Sequence, residues 1–440
     1  MHLIRLSTTL LACAILVLSA GCAGLEDANG ERPEGPPRSR TSLDGPSLAQ
    51  DADSVRTVQL YRLPDESALP IIRLGGGEQL QLAFDILGTS VPRRFEVRFY
   101  HTDRDGRRGL LPVEYMGAFS TDNLTDVRAS SGPAVRYDHY RYAFPNQAIQ
   151  FTFSGSYVLR VHEAGYEDRV LFERPFFVSE EAAQAEFAVQ SALVGGGRVA
   201  RPVLQLRPGQ QLGDQIFNFQ VCFVRNGRFD APRCVESPTL FDALAYQFYL
   251  PEDLGFEPLG PVYEVDLGVL QPINRIAAVD YTVMPYRALI DLDYARFGGL
   301  TTFFGDELGS ALAGQPIVHS AVIDVPDPNT QGEYVRATFR YVPQDNVPHR
   351  GSVYLSGSFN AWRTLPAFRM DWDGENNRYE TTVLIKQGRY VYRYVTADRD
   401  ERARRRITSG EPSLYTALVY YRDFQRSTDR LIAVRSVIAD

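Results

Sequence analysis

GGGEQLQLAFD, residues 75–85, decides how the chain is read. Its glycines make a turn, because Gly adopts backbone conformations closed to other residues. Leu80, Leu82 and Phe84 then alternate with Gln81, Ala83 and Asp85. Successive side chains of a strand point to opposite faces, so this period of two predicts a strand with one face in a core. The pattern extends outward on both sides. VRTVQLYR (55–62) precedes it, and FEVRFY (95–100) follows, leading into a hairpin turn at Asp105-Gly106. Tyr137 to Phe144, Tyr157 to His162 and Val170 to Val178 continue it. About seven strands in roughly 125 residues predict an immunoglobulin-like sandwich over 55–180. The run SEEAAQAEFAVQ at 179–190 marks its end.

Two further units are expected. Residues 181–328 form a β-rich middle domain, less regular, with strands at Val262 to Leu270 and Arg287 to Tyr294. Residues 329–440 alternate again, from Tyr334 to Tyr341, Gly351 to Leu355, Tyr379 to Ile385, Gly388 to Val395 and Leu414 to Arg422. The 24 Tyr and 25 Phe favour strands over helices. The expected class is therefore mainly β, with tandem immunoglobulin-like or early-set β-sandwich domains.

The chain start reads as an export signal. Arg5 precedes the apolar run LLACAILVL (10–18), and Ser19-Ala20-Gly21 lead into Cys22. Small residues before Cys form a lipobox, so residues 1–21 are expected to be a lipoprotein signal peptide and Cys22 the lipidated residue. The apolar run is too short to span a bilayer. Two or more acyl chains give a stable anchor. Ala23, where Asp would signal inner-membrane retention, points to the outer membrane. Residues 22–54 are rich in Gly, Pro, Ser and charge and read as a flexible tether. A coil of that length reaches roughly 30 Å. The expected location is the periplasm, lipid-anchored.

A net charge of −8 and a pI near 5.4 argue against a nucleic-acid partner. Lys386 is the only lysine, which reads as the mark of a GC-rich genome rather than a binding feature. Past the lipobox two cysteines remain, Cys222 and Cys234, flanking Asn226-Gly227. Asn-Gly is a hairpin signal, so the pair is expected on adjoining strands, as a disulfide or as two thiols. The chain holds no GxSxG, no phosphate loop and no HExxH or Cys/His cluster. Asp103 to Gly106 and Asp371 to Gly374 have a DxDG look but sit between expected strands, where turns suffice. No catalytic residue, metal or cofactor is expected.

VYLSGSFNAW, residues 353–362, resembles the glycogen-binding type of carbohydrate-binding module, an early-set sandwich. That resemblance implies a sugar-stacking role for Trp362, with Asn360 beside it and Arg393 near the position of the module's lysine. The module's second Trp is absent after Val395, which favours reading Phe359 and Trp362 as packing residues of a sandwich that kept the fold without the ligand. A wider resemblance covers nearly all of 55–440. Val58 to Tyr61, Pro70 to Gly75 with Glu78 to Leu80, Glu114-Tyr115, Phe144 to Asn146, Ser154 to Leu159 and Arg174 to Val178 are similar to the plug proteins of the type IX secretion system. Arg228 to Asp230, Asp293-Tyr294, Lys386 to Gly388 and Val419 to Arg422 continue the likeness. It implies a non-catalytic periplasmic protein that caps the inner mouth of the outer-membrane translocon barrel. The lipobox and tether depart from the family pattern.

Three functions follow as expectations: the translocon plug, an α-glucan-binding lipoprotein, and an enzyme hidden in the middle unit. On the first, Cys22 would keep the plug near its pore after release. Replacing it (Cys22→Ser) should slow re-closure of the pore, followed by dye uptake, while leaving the melting temperature of the folded body unchanged.

Overall fold

Leu80, Leu82, Phe84 and Ile86 are completely buried, as the alternation requires. Asp85, on the opposite face of the same strand, is also completely buried. A strand covered on both faces must have something packed against its polar side, and that packing organises the molecule. The computed structural model describes residues 48–439 apart from residue 50 and the segments 89–91, 195–196, 213–215, 242–244, 259–260, 296–307, 322–324 and 397–411. The expected signal peptide, Cys22 and the tether up to residue 47 lie outside the described residues. Among the described residues strands hold 54% and helices 7%, so the mainly β class holds.

The first sandwich uses β1 (Val55–Arg62), β2 (Ile71–Arg73), β3 (Leu80–Leu87), β4 (Phe95–Thr102), β5 (Thr121–Asn123), β6 (Asp126–Ala129), β7 (Tyr137–Phe144), β8 (Gly155–Glu163) and β9 (Tyr166–Ser179). One sheet runs β1-β3-β7-β6 and the other β2-β9-β8-β4-β5. Aromatic rings fill the space between them. Phe84 stacks on Tyr140 at 5.1 Å, and Phe99 lies 4.9 Å from Phe144. Each ring buried this way contributes about 1.5–3 kcal/mol. Asp105-Gly106 makes a turn, but no tight hairpin: β4 reaches its partner β5 only after a short helix at Pro112–Tyr115. The tether also ends earlier than expected. Ala52 N–H donates to the Leu171 carbonyl at 2.8 Å, and Leu87 N–H to that of Ser54 at 2.9 Å, so residues 51–54 lie packed on this sandwich.

The chain continues as β10 (Ala183–Val194), β11 (Gly197–Pro208), β12 (Phe219–Arg225), β13 (Arg233–Val235), β14 (Leu240–Phe241) and β15 (Tyr246–Tyr249). Next come β16 (Val262–Asp266), β17 (Ile276–Asp280), β18 (Arg287–Tyr294), β19 (Ile317–Val318), β20 (Tyr334–Val342), β21 (Val353–Gly357), β22 (Asp371–Asp373), β23 (Arg378–Lys386) and β24 (Gly388–Thr396). It closes with β25 (Ser413–Asp423) and β26 (Thr428–Ala439).

The expected cut at 328/329 is not where the sheets divide. β12 pairs with β25, from Phe219 opposite Tyr421 to Arg225 opposite Tyr415, in the sheet β13-β12-β25-β26. That sheet packs on β10-β11-β15-β14 through Leu204, Phe219, Phe223, Phe248 and Ile432. The last strands of the chain thus complete the second sandwich. Conversely, β16, β17 and β18, expected in the middle unit, belong to the third. Its sheets are β17-β18-β20-β23-β22 and β16-β24-β19, with β21 also on β24. Ile290, Phe339, Leu355 and Tyr392 are among its core residues. Alternation says that a segment is a strand, but not which strand it pairs with.

Cys222 and Cys234 lie directly opposite each other on β12 and β13 and are joined as a disulfide. Asn226 and Gly227 both take positive φ, 53° and 63°, but they open a longer connection instead of closing a two-residue hairpin. Gly227 is required by its surroundings: a Cβ there would sit 2.1 Å from the Ala313 carbonyl oxygen. The disulfide closes a short loop, which favours the folded state by about 2–3 kcal/mol. Replacing both cysteines with Ala should lower the unfolding free energy by that amount in urea titrations, and reductant should have no further effect on the variant.

Candidate functional site

Asp85 on β3 is the cross-strand partner of His139 on β7. On β20 and β23 of the third sandwich, Tyr334 is likewise the partner of Lys386. The two pairs face each other across the junction. Lys386 Nζ donates to Asp85 Oδ2 at 2.7 Å, the Tyr334 hydroxyl donates to the same oxygen at 2.7 Å, and His139 Nδ1 lies 2.7 Å from Asp85 Oδ1. Lys386 also donates to the Asn329 carbonyl at 2.6 Å and sits 4.2 Å from the Tyr137 ring centroid. Sequence reading gave this lysine no role, yet its side chain is fully buried at the heart of the molecule.

Burial pushes the Asp85 carboxyl up, but the Lys386 charge and the His139 hydrogen bond outweigh it and hold the group below the usual carboxylate range. Burial likewise lowers the Lys386 ammonium pKa, and the Asp85 charge opposes that shift. An ion pair in this setting is a constraint more than a source of stability, because taking both charges out of water offsets their attraction. Both charges must stay together, and that fixes how the first and third sandwiches meet. Gly388, just beyond, allows the approach of the neighbouring strand: a Cβ there would lie 2.2 Å from the Ile317 carbonyl oxygen.

A cleft of about 410 Å³ opens beside this pair, where segments of all three sandwiches converge. The edge of β1 is satisfied by one side chain from the far wall: Gln315 donates to the Leu60 carbonyl at 2.6 Å and accepts from Leu60 N–H at 3.0 Å. At another wall Asp51 accepts from both terminal Arg174 guanidinium nitrogens, Nη1 and Nη2, at 2.7 Å each, with Arg363 of the third sandwich 3.5 Å away. Burial raises the Asp51 pKa, and the charges and hydrogen bonds of Arg174 and Arg363 together more than reverse this.

The candidate sugar residues come together, but as packing. Trp362 is 1% exposed, and its indole N–H donates to the Ala311 carbonyl at 3.1 Å. The Arg393 guanidinium lies 5.5 Å from its ring centroid. Asn360 is also buried; it donates to the Leu355 carbonyl and accepts from Gly357 N–H. Ala361 and Trp362 hold positive φ of 52° and 58°, which those bonds and Arg228, donating to the Trp362 carbonyl, maintain. A sugar-stacking Trp needs an exposed face, and this one has none.

Sequence reading missed Asp85, His139, Tyr334 and Asp51. The available signals were the solitary lysine and an Asp in an otherwise apolar strand. Among the described residues, no group of His, Cys, Asp or Glu could hold a metal, and no helix is long and apolar enough to cross a membrane.

The arrangement defines a multi-sandwich body joined by buried contacts, with a cleft at the junction. Residues 55–180, β1 to β9, match the family described as "Type 9 secretion system plug protein 1st domain". A crystal structure of a hypothetical protein from Parabacteroides merdae ATCC 43184 shares the fold, with a TM-score of 0.78 and 23% identity over 90% of this chain and 100% of that one. Two other solved structures superpose too poorly to inform the fold. They are an alkylpurine DNA glycosylase of Pseudomonas fluorescens bound to DNA (TM-score 0.16, 16% identity, 28% of this chain and 30% of that one) and the partial N-terminal region of an enterococcal surface protein (TM-score 0.19, 8% identity, 93% and 97%). No curated protein matches the chain.

Breaking a buried pair costs about 3–5 kcal/mol, because the orphaned charge stays buried. Lys386→Met should lose that much in urea unfolding, and the double variant Lys386→Met/Asp85→Leu should recover part of it. Because the folded pKa of Asp85 is depressed, its contribution is fully present above its unfolded value of about 3.9 and vanishes as pH falls through the folded value. The stability gap between wild type and Asp85→Asn should therefore shrink on acidification below about pH 4.

Proposed function

We propose that this protein is a non-catalytic plug that caps the periplasmic opening of the type IX secretion translocon in the outer membrane. The observation that carries the reading is the match of the whole first sandwich, residues 55–180, to the plug domain. The physical demands of the role agree with it. A plug needs a rigid body with a broad surface. Besides the Asp85–Lys386 pair, Phe177 of the first sandwich packs against Val224, Phe229 and Leu418 of the second. Trp362 and Val391 of the third pack with Leu414 of β25. Rigid joints of this kind resist the hinge motion expected of small polar domain interfaces. Leu111, Val113 and Phe119 of the first sandwich are 67%, 81% and 68% exposed, and large apolar side chains left at a surface are available to a protein contact.

In this reading Cys22 carries the lipid anchor, and the segment leading to residue 48 lets the body dock and leave without being lost. The partner is a very wide outer-membrane barrel. Affinity purification from detergent-solubilised outer membranes should recover such a barrel with the wild-type protein, and deletion of the gene should admit large antibiotics and dyes. Recovery of no barrel, together with normal permeability, would rule the reading out.

A further inference from the structure

The cleft at the three-sandwich junction has charge opposite to that of the whole. The protein carries a net −8. Yet the arginines Arg56, Arg174 and Arg363 line the cleft against the carboxylates Asp51 and Asp53. The remaining charged side chain there, Lys386, is neutralised by Asp85. Asp51 is shared unequally. It binds Arg174 in a two-pronged contact at 2.7 Å and reaches Arg363 only at 3.5 Å. Arg56 donates to the carbonyl oxygens of Asp53 and Val55. Arg228 and Asp230, next to Arg363, already pair with each other at 2.8 Å. Two guanidinium groups from different sandwiches thus converge on one carboxylate, a geometry that receives planar anions in a fixed orientation.

The carboxylate they hold arrives on the short segment just ahead of β1. Ala49 N–H donates to Glu173 Oε2 at 2.9 Å, and Ala52 N–H to the Leu171 carbonyl at 2.8 Å. The segment lies along the β9 stretch that β2 does not cover, since β2 pairs only with Phe177 to Ser179. The site therefore already displays its mode of binding: a segment bonded through the backbone N–H groups of Ala49 and Ala52 that presents one Asp to Arg174 and Arg363.

We propose that this cleft is a receptor for an acidic polypeptide segment, and that Asp51 to Asp53 occupy it in cis as a displaceable strap. The ligand is a segment of another protein carrying Asp or Glu. Its binding would strip Asp51 from the arginines and free the strap that leads back to the N-terminus. The proposal holds whichever pore the protein serves.

The test uses the full-length protein and a fluorescein-labelled peptide of residues 46–54, PSLAQDADS, titrated by anisotropy. In the wild type the cis strap competes at an effective concentration in the millimolar range. Asp51→Asn should therefore bind the peptide at least about tenfold more tightly than wild type. Adding Arg174→Gln to that variant should abolish the gain, and a peptide carrying the same Asp51→Asn change should not bind. The unrelated peptide GSDDSG should displace the probe, and GSNNSG should not. Ala52→Pro provides a second route: it removes the Ala52 N–H bond but keeps Asp51, and should raise peptide binding in the same direction. Equal binding to wild type and both variants would overturn the proposal, as would indifference to the peptide's Asp. If Asp51→Asn does not fold, as judged by thermal melting, the absence of a gain in Ala52→Pro would overturn it alone.

Discussion

The ion pair between Asp85 and Lys386 is the contact on which the arrangement of the body depends. Both groups are removed from water, so each needs its partner in hydrogen-bonding distance at all times. His139, Tyr334 and the Asn329 carbonyl satisfy the remaining valences. Apolar contacts would tolerate sliding or rotation between the first and third sandwiches. A buried ion pair of this kind does not, because a shift of an ångström or two leaves a charge bare in the interior. The energetic yield is small, but the geometric selectivity is large, and rigidity is what the proposed capping role needs.

The second sandwich depends on a different constraint. Its sheet β13-β12-β25-β26 is assembled from segments about two hundred residues apart, with the third sandwich inserted between them. The chain leaves the second sandwich, builds the third and returns. Two covalent connections, rather than one, therefore join these sandwiches. Leu414 and Val391 pack at that joint, and Trp362 closes it from the side. The VYLSGSFNAW stretch thus serves the joint between sandwiches, whereas in a sugar-binding module the same outline serves the surface.

The strands of the first sandwich were legible in the sequence because alternation and turn residues mark each segment locally, although only β4-β5, β6-β7 and β8-β9 pair in succession. The boundary near residue 180 was legible for the same reason, since a polar run interrupts the alternation. The division between the later sandwiches was not legible. Pairing of β12 with β25 is a property of two complementary edges far apart in the chain, and neither edge carries a local mark of its partner. Cys222 and Cys234 could be placed on adjoining strands, as they are, although Asn226-Gly227 opens a longer connection packed on Ala313. Asp51 was read as part of a tether because its neighbours are polar and aperiodic; the arginines that hold it come from residues 174 and 363.

The amino-acid sequence by itself determined that this is a mainly β protein with a sandwich at 55–180, through period-two alternation and turn residues, which act over a few positions at a time. The residues after Leu74 show the limit of that determination. Leu80, Leu82 and Phe84 declared their buried face, but Asp85 gave no sign that its own face is buried as well. Only the tertiary structure decided that. A carboxylate can be buried only opposite a matched charge, and the matching charge is supplied by the one lysine in the chain, some three hundred residues later.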